Sequence, residues 1–573
     1  MKGSGFFLIC MLLVSACAKK QDPADLVIKG GKIYTMDSSI SVVEAVAIKN
    51  DRIVATGTDA IIEQFIGQGT KVIELDGRIA TPGFIEGHGH LMGIGYNALD
   101  LDLLNVRNFD EMVNQVEEAV KKAKPGDWIL GRGWHQDKWD VKPDKMIKGF
   151  PLHDKLSAAS PDNPVFLEHA SGHAGFANAK AMEIAGLGQL AKEKLRVEEG
   201  EGGEIIRDAA GNPTGLFSER AMSLITDHIP KDSDARNRQA LNLAMQACLR
   251  NGITSFHDAG ATRTAIDLYH AIKKEGTLGL RLYVMITGED RNLMYEWLKK
   301  GPEIDSTGWL TIRSIKLHCD GALGSRGAWL LAPYADRVGW YGMATLSMDT
   351  VLKTSQVALK HGFQVCSHAI GDRTNREVLD RYETTFRENP ALARDHRFRI
   401  EHAQHIDPAD LPRFAKLGVI PAMQAIHMAS DRPWAIDRLG AQRIKDGAYM
   451  WQSLLRSGAR IVNGTDAPVE PVNPIPSFYA AVSRKTLKGE PAGGYEPAEK
   501  MTREQALRSY TLDAAYGAFE EKLKGSIAVG KLADLAIFSK DIMTIPEDEI
   551  LTTEVHTVIL SGKVVFENTK DRH

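Results

Sequence analysis

The sequence predicts an α/β fold: a (β/α)8 barrel of the TIM type, a small β-sandwich domain formed by both chain ends, and a large insertion after the first barrel strand. Three observations lead there. Eight short apolar runs ending in polar residues recur between residues 84 and 467: FIEGHGH, ITSFHDAG, LRLYVMIT, SIKLHCDGA, FQVCSHAIG, FRIEHAQ, VIPAMQ and RIVNGTDA. Helical patterns such as ALNLAMQACLRNG and NREVLDRYETTFRENP alternate with them, as βα units of a closed parallel sheet require. Turn-punctuated β-rich stretches lie at both ends, DLVIKGGKIYTMDSSISVVEAVAIKNDRIVATG early and GSIAVGKLADLAIFSKD with VHTVILSGKVVFEN late, and they read as halves of one sandwich. The interval from about 92 to 250 is too long for a loop and has strand and helix patterns of its own, so it reads as an inserted lid or subdomain.

The elements follow in order. Lys2 and the apolar FFLICMLLVSAC behind it have the form of a secretory signal, too short to span a bilayer comfortably. Val14-Ser15-Ala16-Cys17 resembles the bacterial lipobox, whose cleavage leaves a lipid-bearing cysteine. Residues 1–16 are then a lipoprotein signal peptide and 17–24 a tether, and Ala18, not Asp, resembles outer-membrane sorting. The expected protein is exported and held on the bacterial outer membrane by lipidated Cys17, facing the periplasm; the inner membrane or a soluble periplasmic form are the alternatives. Residues 25–80 and 521–570 are the two parts of the sandwich, and 81–520 the barrel with its insertion.

Composition bounds the partners. Lys and Arg number 70 against 74 Asp and Glu, so no basic field argues for nucleic acid, and a small-molecule substrate is expected. GIGYN lacks the Lys-Ser/Thr end of a phosphate loop. Of the five cysteines, Cys248, Cys319 and Cys366 fall in the body at spacings that make no disulfide framework, and read as buried thiols. Oligomeric state is not legible.

His88 and His90, two apart on an extended segment, point to one side and can reach one ion. Lys316, His368, His402 and Asp466 close the fourth, fifth, sixth and eighth runs, at the strand ends where a barrel gathers its catalytic groups. Neutral imidazoles and a carboxylate suit a divalent cation, and Asp466 can move a proton from a coordinated water to a leaving nitrogen.

With those residues in place the chain resembles the amidohydrolase superfamily, specifically the amidohydrolase family 3 branch that includes N-substituted formamide deformylase-like proteins. The resemblance is carried by TPGFIEGHGHL, WILGRGWHQDKW, HASGHAGFANAKAMEIAG, KLHCDGALGSR, HAIGDR, RIEHAQ and NGTDAPV, spread over about residues 25–566. It implies one or two divalent ions, most often zinc, on His88, His90, Lys316, His368, His402 and Asp466. In several members of the superfamily the fourth-strand lysine is carboxylated and bridges two ions, which implies the same of Lys316; the other reading has Lys316 pairing with Asp320 or touching substrate beside one metal.

The implied activity is hydrolysis of a non-peptide N-acyl or N-formyl C–N bond by metal-activated water, with Asp466 as general base and then acid. Attack on an ester, lactone or phosphotriester at the same site, or a non-catalytic lipoprotein that uses the barrel for binding, are the alternatives. His173, Arg326, Trp134 and His427 are candidate substrate contacts, Trp134 as part of an aromatic wall with Trp139 and Tyr96. Glu219 reads more readily as a packing or surface residue, His257 as hydrogen-bonding behind a ligand, and His318 is ambiguous.

Overall fold

The computed structural model describes residues 22–39, 41–187 and 203–568; the signal and Cys17 expected from the sequence lie outside the described residues. The two chain ends interlock in a sandwich. One sheet orders Arg52–Gly57, Ala45–Lys49, Leu26–Lys29 and Lys71–Glu74; the other orders Lys563–Glu567, Val555–Leu560, Leu535–Phe538, Ile79–Pro82, Lys32–Tyr34 and Val42–Val43. Leu535–Phe538 runs antiparallel to Ile79–Pro82, so the last part of the chain completes a sheet begun by the first. Ile28, Ile33, Val46, Ile48, Leu535, Ile537 and Ile559 fill the core between the sheets.

Eight parallel strands form the barrel: β1 (Phe84–Gly89), β2 (Ile253–Ala261), β3 (Arg281–Thr287), β4 (Leu310–His318), β5 (Gln364–Ala369), β6 (Arg399–His402), β7 (Ile420–Met423) and β8 (Val462–Asn463). Both strand faces are covered, which is why these segments are apolar runs and not alternating ones. β8 returns beside β1 at the seam. There the Asp466 N–H donates to the His88 carbonyl (2.8 Å) and the Thr465 N–H to Glu86 Oε1 (2.6 Å). The approach needs glycine on both sides: a Cβ on Gly87 would sit 2.4 Å from the Asn463 carbonyl oxygen, and one on Gly464 2.7 Å from the His88 nitrogen.

Between β1 and β2 the chain builds a six-stranded sheet, Gly203–Arg207, Pro213–Glu219, Ala174–Ala177, Val165–His169, Ile129–Trp134 and Leu101–Asp102, with its own core. The insertion is shorter than 92–250. The amphipathic helix Asp234–Arg250 leads into β2 and packs on helix Leu91–Asn97, so closely that a Cβ on Gly95 would meet the Ala240 carbonyl at 2.0 Å. Both helices are barrel elements. Among the described residues no helix is long and apolar enough to cross a membrane.

Barrel and sandwich are tied by charge. Arg281, fully buried at the start of β3, donates from Nε and Nη2 to both oxygens of Asp534 (2.6 and 3.0 Å), and Asp534 also accepts from the Ser561 N–H (2.9 Å). Removing one partner of such a pair strands a buried charge, at about 3–5 kcal/mol. Asp534→Ala is therefore expected to lower the midpoint of the first calorimetric unfolding transition by several degrees, with Asp534→Asn intermediate; an unchanged transition would mean that the pair does not join the two domains.

Candidate active site

The cluster sits at the C-terminal mouth of the barrel. His88 is fully buried on β1, and His90, just beyond it, is about one-third exposed on the same side. Asp466 arrives across the seam from β8, its Oδ1 3.5 Å from His88 Nε2 and 3.2 Å from His90 Nε2. Lys316 on β4 brings Nζ to 3.4 Å from His88 Nε2. The His402 ring lies with its centroid 4.9 Å from that of His88 and 4.5 Å from that of His368, so the strand-end groups are contiguous. His402 (φ +71°) and Asp466 (φ +59°) hold left-handed backbone conformations, the kind of local strain that functional sites retain.

The surroundings decide which ring nitrogens face the cavity. His88 Nδ1 donates to Glu401, which leaves Nε2 with its lone pair toward Asp466 and Lys316. Glu401 is itself held by both arms of Arg399, Nε at 2.7 Å and Nη2 at 2.8 Å. Burial works against this carboxylate, but the charge of Arg399 and the hydrogen bonds from Arg399 and His88 outweigh it and keep the group well below the ordinary carboxylate range. His402 Nδ1 donates in the same way to Gln424 Oε1 (2.8 Å). Burial pushes the His88 imidazole down to about 4, and those of His402 and His368 well below their ordinary value, so the rings are neutral donors of electron pairs.

These features fit a cation. His88, His90 and Asp466 offer one ligand atom each within 4.8 Å of one another, and so do His402, His427 and Asp466, the two groups sharing the carboxylate. Buried Asp466 Oδ1, His427 Nε2 and His368 Nε2 make no hydrogen bond among the described residues, which is costly unless something else satisfies them. His368 Nε2 lies 3.3 Å from Asp320 Oδ1, which accepts from the Ile370 N–H, while Asp320 Oδ2 accepts from the N–H groups of Gly371 and Trp329 and from the Thr374 hydroxyl.

Two chambers meet at Asp466. A wide one of about 740 Å³ is lined by His90, His173, His318 and Arg132, and a narrow one of about 60 Å³ by Leu323, Ile370, Trp434 and His427; His173, His368, His402 and Asp466 border both. Of the candidate substrate contacts, His173 and His427 are thus at the site. Trp134 and Arg326 are not.

Trp134 is fully buried in the insertion, its indole N–H donating to the Leu167 carbonyl (2.9 Å) and its ring among Trp139, Phe109 and Phe176. Tyr96 donates to Asn237 (2.7 Å), so no aromatic wall forms. Arg326 is paired with Asp336 through Nε (3.2 Å) and Nη2 (2.8 Å) and lines a separate cleft with Lys148 and Glu204. In both cases the partner, invisible in the sequence, takes up the group that was expected to face substrate.

Glu219 departs from expectation in the other direction. It is partly buried at the mouth, with Oε2 2.9 Å from His173 Nδ1. His257 receives a hydrogen bond from Arg399 at Nδ1 (3.1 Å), behind the ligands. Sequence reasoning missed Arg399, Glu401 and Gln424. Arg399 and Glu401 alternate within RIEHAQ, and a charged pair at period two on an otherwise apolar strand was the available signal.

Comparison with known proteins finds relatives over nearly the whole chain. A match to the amidohydrolase family spans residues 71–566. The chain is 35% identical to Protein LONG AFTER FAR-RED 3 of Arabidopsis thaliana, over 91% of this chain and 89% of that protein. It is 31% identical to putative amidohydrolase YtcJ of Bacillus subtilis (94% and 99% covered) and 27% identical to N-substituted formamide deformylase of Arthrobacter pascens (95% and 99%). A crystal structure of an uncharacterised metal-dependent hydrolase from Pyrococcus horikoshii superposes with a TM-score of 0.71 at 25% identity, covering 91% of this chain and 99% of that one. A parallel barrel, strand-end imidazoles around a shared carboxylate and this match over most of the chain lead to one conclusion: the protein belongs to the amidohydrolase family and is a metal-dependent hydrolase.

Proposed function

We propose that the bond cleaved is a non-peptide C–N bond, an N-acyl or N-formyl amide. The observation that carries this reading is the carboxylate that both imidazole groups share, Asp466, which borders both chambers, so that the two halves of an amide can lie on either side of it. The likeness to N-substituted formamide deformylase supports it.

His88, His90, His402 and Asp466, with His368 and Lys316, would hold the cation, and zinc suits such imidazole and carboxylate donors. A divalent cation there supplies Lewis-acid polarisation of a carbonyl and lowers the pKa of a coordinated water toward about 7. Asp466 takes the proton from water as its oxygen adds to the carbonyl carbon, then delivers that proton to the nitrogen as the C–N bond breaks, so a carboxylate and an amine leave. Glu401 and Gln424 keep the His88 and His402 rings oriented throughout.

Lys316 is proposed to be carboxylated. Burial draws its amine toward the neutral form that reacts with CO2, and a carbamate there would add anionic oxygen donors to the ligand set. Cys17 is proposed to carry lipid and to hold the enzyme on the outer membrane, where it would meet imported or environmental amides.

Three outcomes test these readings. Asp466→Asn is expected to retain much of the metal by elemental analysis yet lose about 10²–10⁴-fold in kcat, whereas His88→Ala loses the metal; native rates in both would refute the site. Intact-mass measurement of the metal-loaded protein, kept under CO2, should show Lys316 heavier by one CO2; an unmodified lysine beside one ion excludes the bridge. Cys17→Ala should move the protein from the membrane fraction to the soluble periplasmic one, and unchanged fractionation would rule out lipidation.

A further inference from the structure

Two cationic side chains stand on the wall of the wide chamber without a carboxylate of their own. The narrow chamber, about 60 Å³, admits only a small group, so the larger half of a substrate extends into the wide one of about 740 Å³. Buried Lys316, His368, His402 and Asp466 mark the inner end of that chamber, and exposed Arg220 and Arg291 its outer part. A group remote from the scissile bond meets the two arginines.

The carboxylates on this wall are already engaged. Glu168 accepts from Arg132, Glu219 lies 2.9 Å from His173 Nδ1, and Glu289 lies 3.2 Å from His318 Nδ1. Asp320 is held by backbone N–H groups and the Thr374 hydroxyl, and Asp466 belongs to the cation site. None of them pairs with Arg220 or Arg291.

Each arginine is left charged for a structural reason. Arg291 opens the helix Arg291–Lys300 after β3, where Asp290 caps the helix by accepting from the Leu293 N–H (2.9 Å) and Glu296 is engaged by Arg263 (2.7 Å). Arg291 itself makes neither hydrogen bond nor ion pair among the described residues. Arg220, from the insertion, donates from Nη2 to the Thr345 carbonyl (3.3 Å), a neutral partner. Thr345 is fixed in turn, its N–H donating to the Cys319 carbonyl (3.0 Å) and its hydroxyl to the His318 carbonyl (2.9 Å), so the guanidinium is braced without being neutralised.

A guanidinium is charged at any working pH, and its fork of donors matches a carboxylate or a phosphate. Charges of one sign on the walls of a cavity draw the opposite sign into it. We propose that the wide chamber selects amides whose larger half carries an anionic group remote from the scissile bond, and that Arg220 from the insertion and Arg291 from the barrel bind that group. The inference rests on the hydrolase reading for the bond that is cut, and adds the chemical class of the amine: one bearing a carboxylate or a phosphate.

The metal-loaded protein is to be assayed with N-acetyl ω-amino acids of rising chain length, the matching N-acetyl amino alcohols and the matching phosphonates. At the length that spans the chamber, kcat/KM for the acid should exceed that for the alcohol. Arg220→Gln and Arg291→Gln should each cut this ratio about tenfold, the size of one hydrogen bond to a charged group, chiefly through KM. Added salt should lower it as well, since both groups are exposed. Arg263→Gln, outside the chamber, should leave the ratio as it is. A larger arginine-dependent ratio for the phosphonates than for the carboxylates would assign the site to phosphate-bearing amines. An oxo-acid with CH2 in place of the amide N–H cannot be hydrolysed, and its calorimetric affinity should fall in the same two variants. A ratio near one in the wild type, or a ratio and an oxo-acid affinity that neither substitution changes, overturns the proposal. Wild-type protein that binds the oxo-acid through these arginines yet cleaves no amide would sink the hydrolase reading and leave the anion site standing.

Discussion

The site depends on a buried charge pair that never touches substrate. Arg399 and Glu401 are both fully buried on β6, and together they aim Nδ1 of His88 away from the cavity and its lone pair into it. Neither charge could remain there alone, since an unpaired ion in a protein interior is strongly destabilising. The remaining guanidinium donors reach the Gly87 carbonyl and His257 Nδ1, so one arginine organises β1, β2 and β6 at once. A cation site needs ligands that do not reorganise when it fills, and this network supplies that rigidity.

Barrel and insertion divide the work. The barrel holds the ligand groups on strands whose hydrogen bonding leaves little freedom, while the insertion roofs the mouth and contributes His173, Glu219 and Arg132 to the wide chamber. Where the two meet, the chain uses glycine. Gly87 and Gly464 permit the closing seam, and Gly321 and Gly327 admit the Glu219 carboxylate. The narrow chamber, behind Leu323 and Trp434, leaves room for only a small group, so the two sides of Asp466 are unequal in what they can accept.

All eight barrel strands were legible because a parallel strand covered on both faces must be apolar along its length, and its polar end marks the mouth. The end of the insertion was not: Asp234–Arg250 has the same amphipathic pattern whether it belongs to a lid or to the barrel, and only its packing on Leu91–Asn97 decides. Trp134 and Arg326 are residue types that often bind ligands, but Phe109 and Phe176 enclose the one and Asp336 neutralises the other. Glu219 was underrated for the converse reason, since its partner lies 46 residues away, just before another strand of the insertion.

The sequence by itself determined the secondary-structure periodicity, the order of the βα units and the chemical character of the strand ends, because these follow from local patterning and from residue type. Tertiary structure alone decided which nitrogen of each histidine faces the cavity, which polar side chains are consumed by one another, and how the mouth is shared between two chambers. Those outcomes are set by pairs of residues such as His88 and Glu401, 313 positions apart in the chain and in direct contact in the fold. Tautomer, desolvation and charge compensation belong to such pairs, and no residue carries them alone.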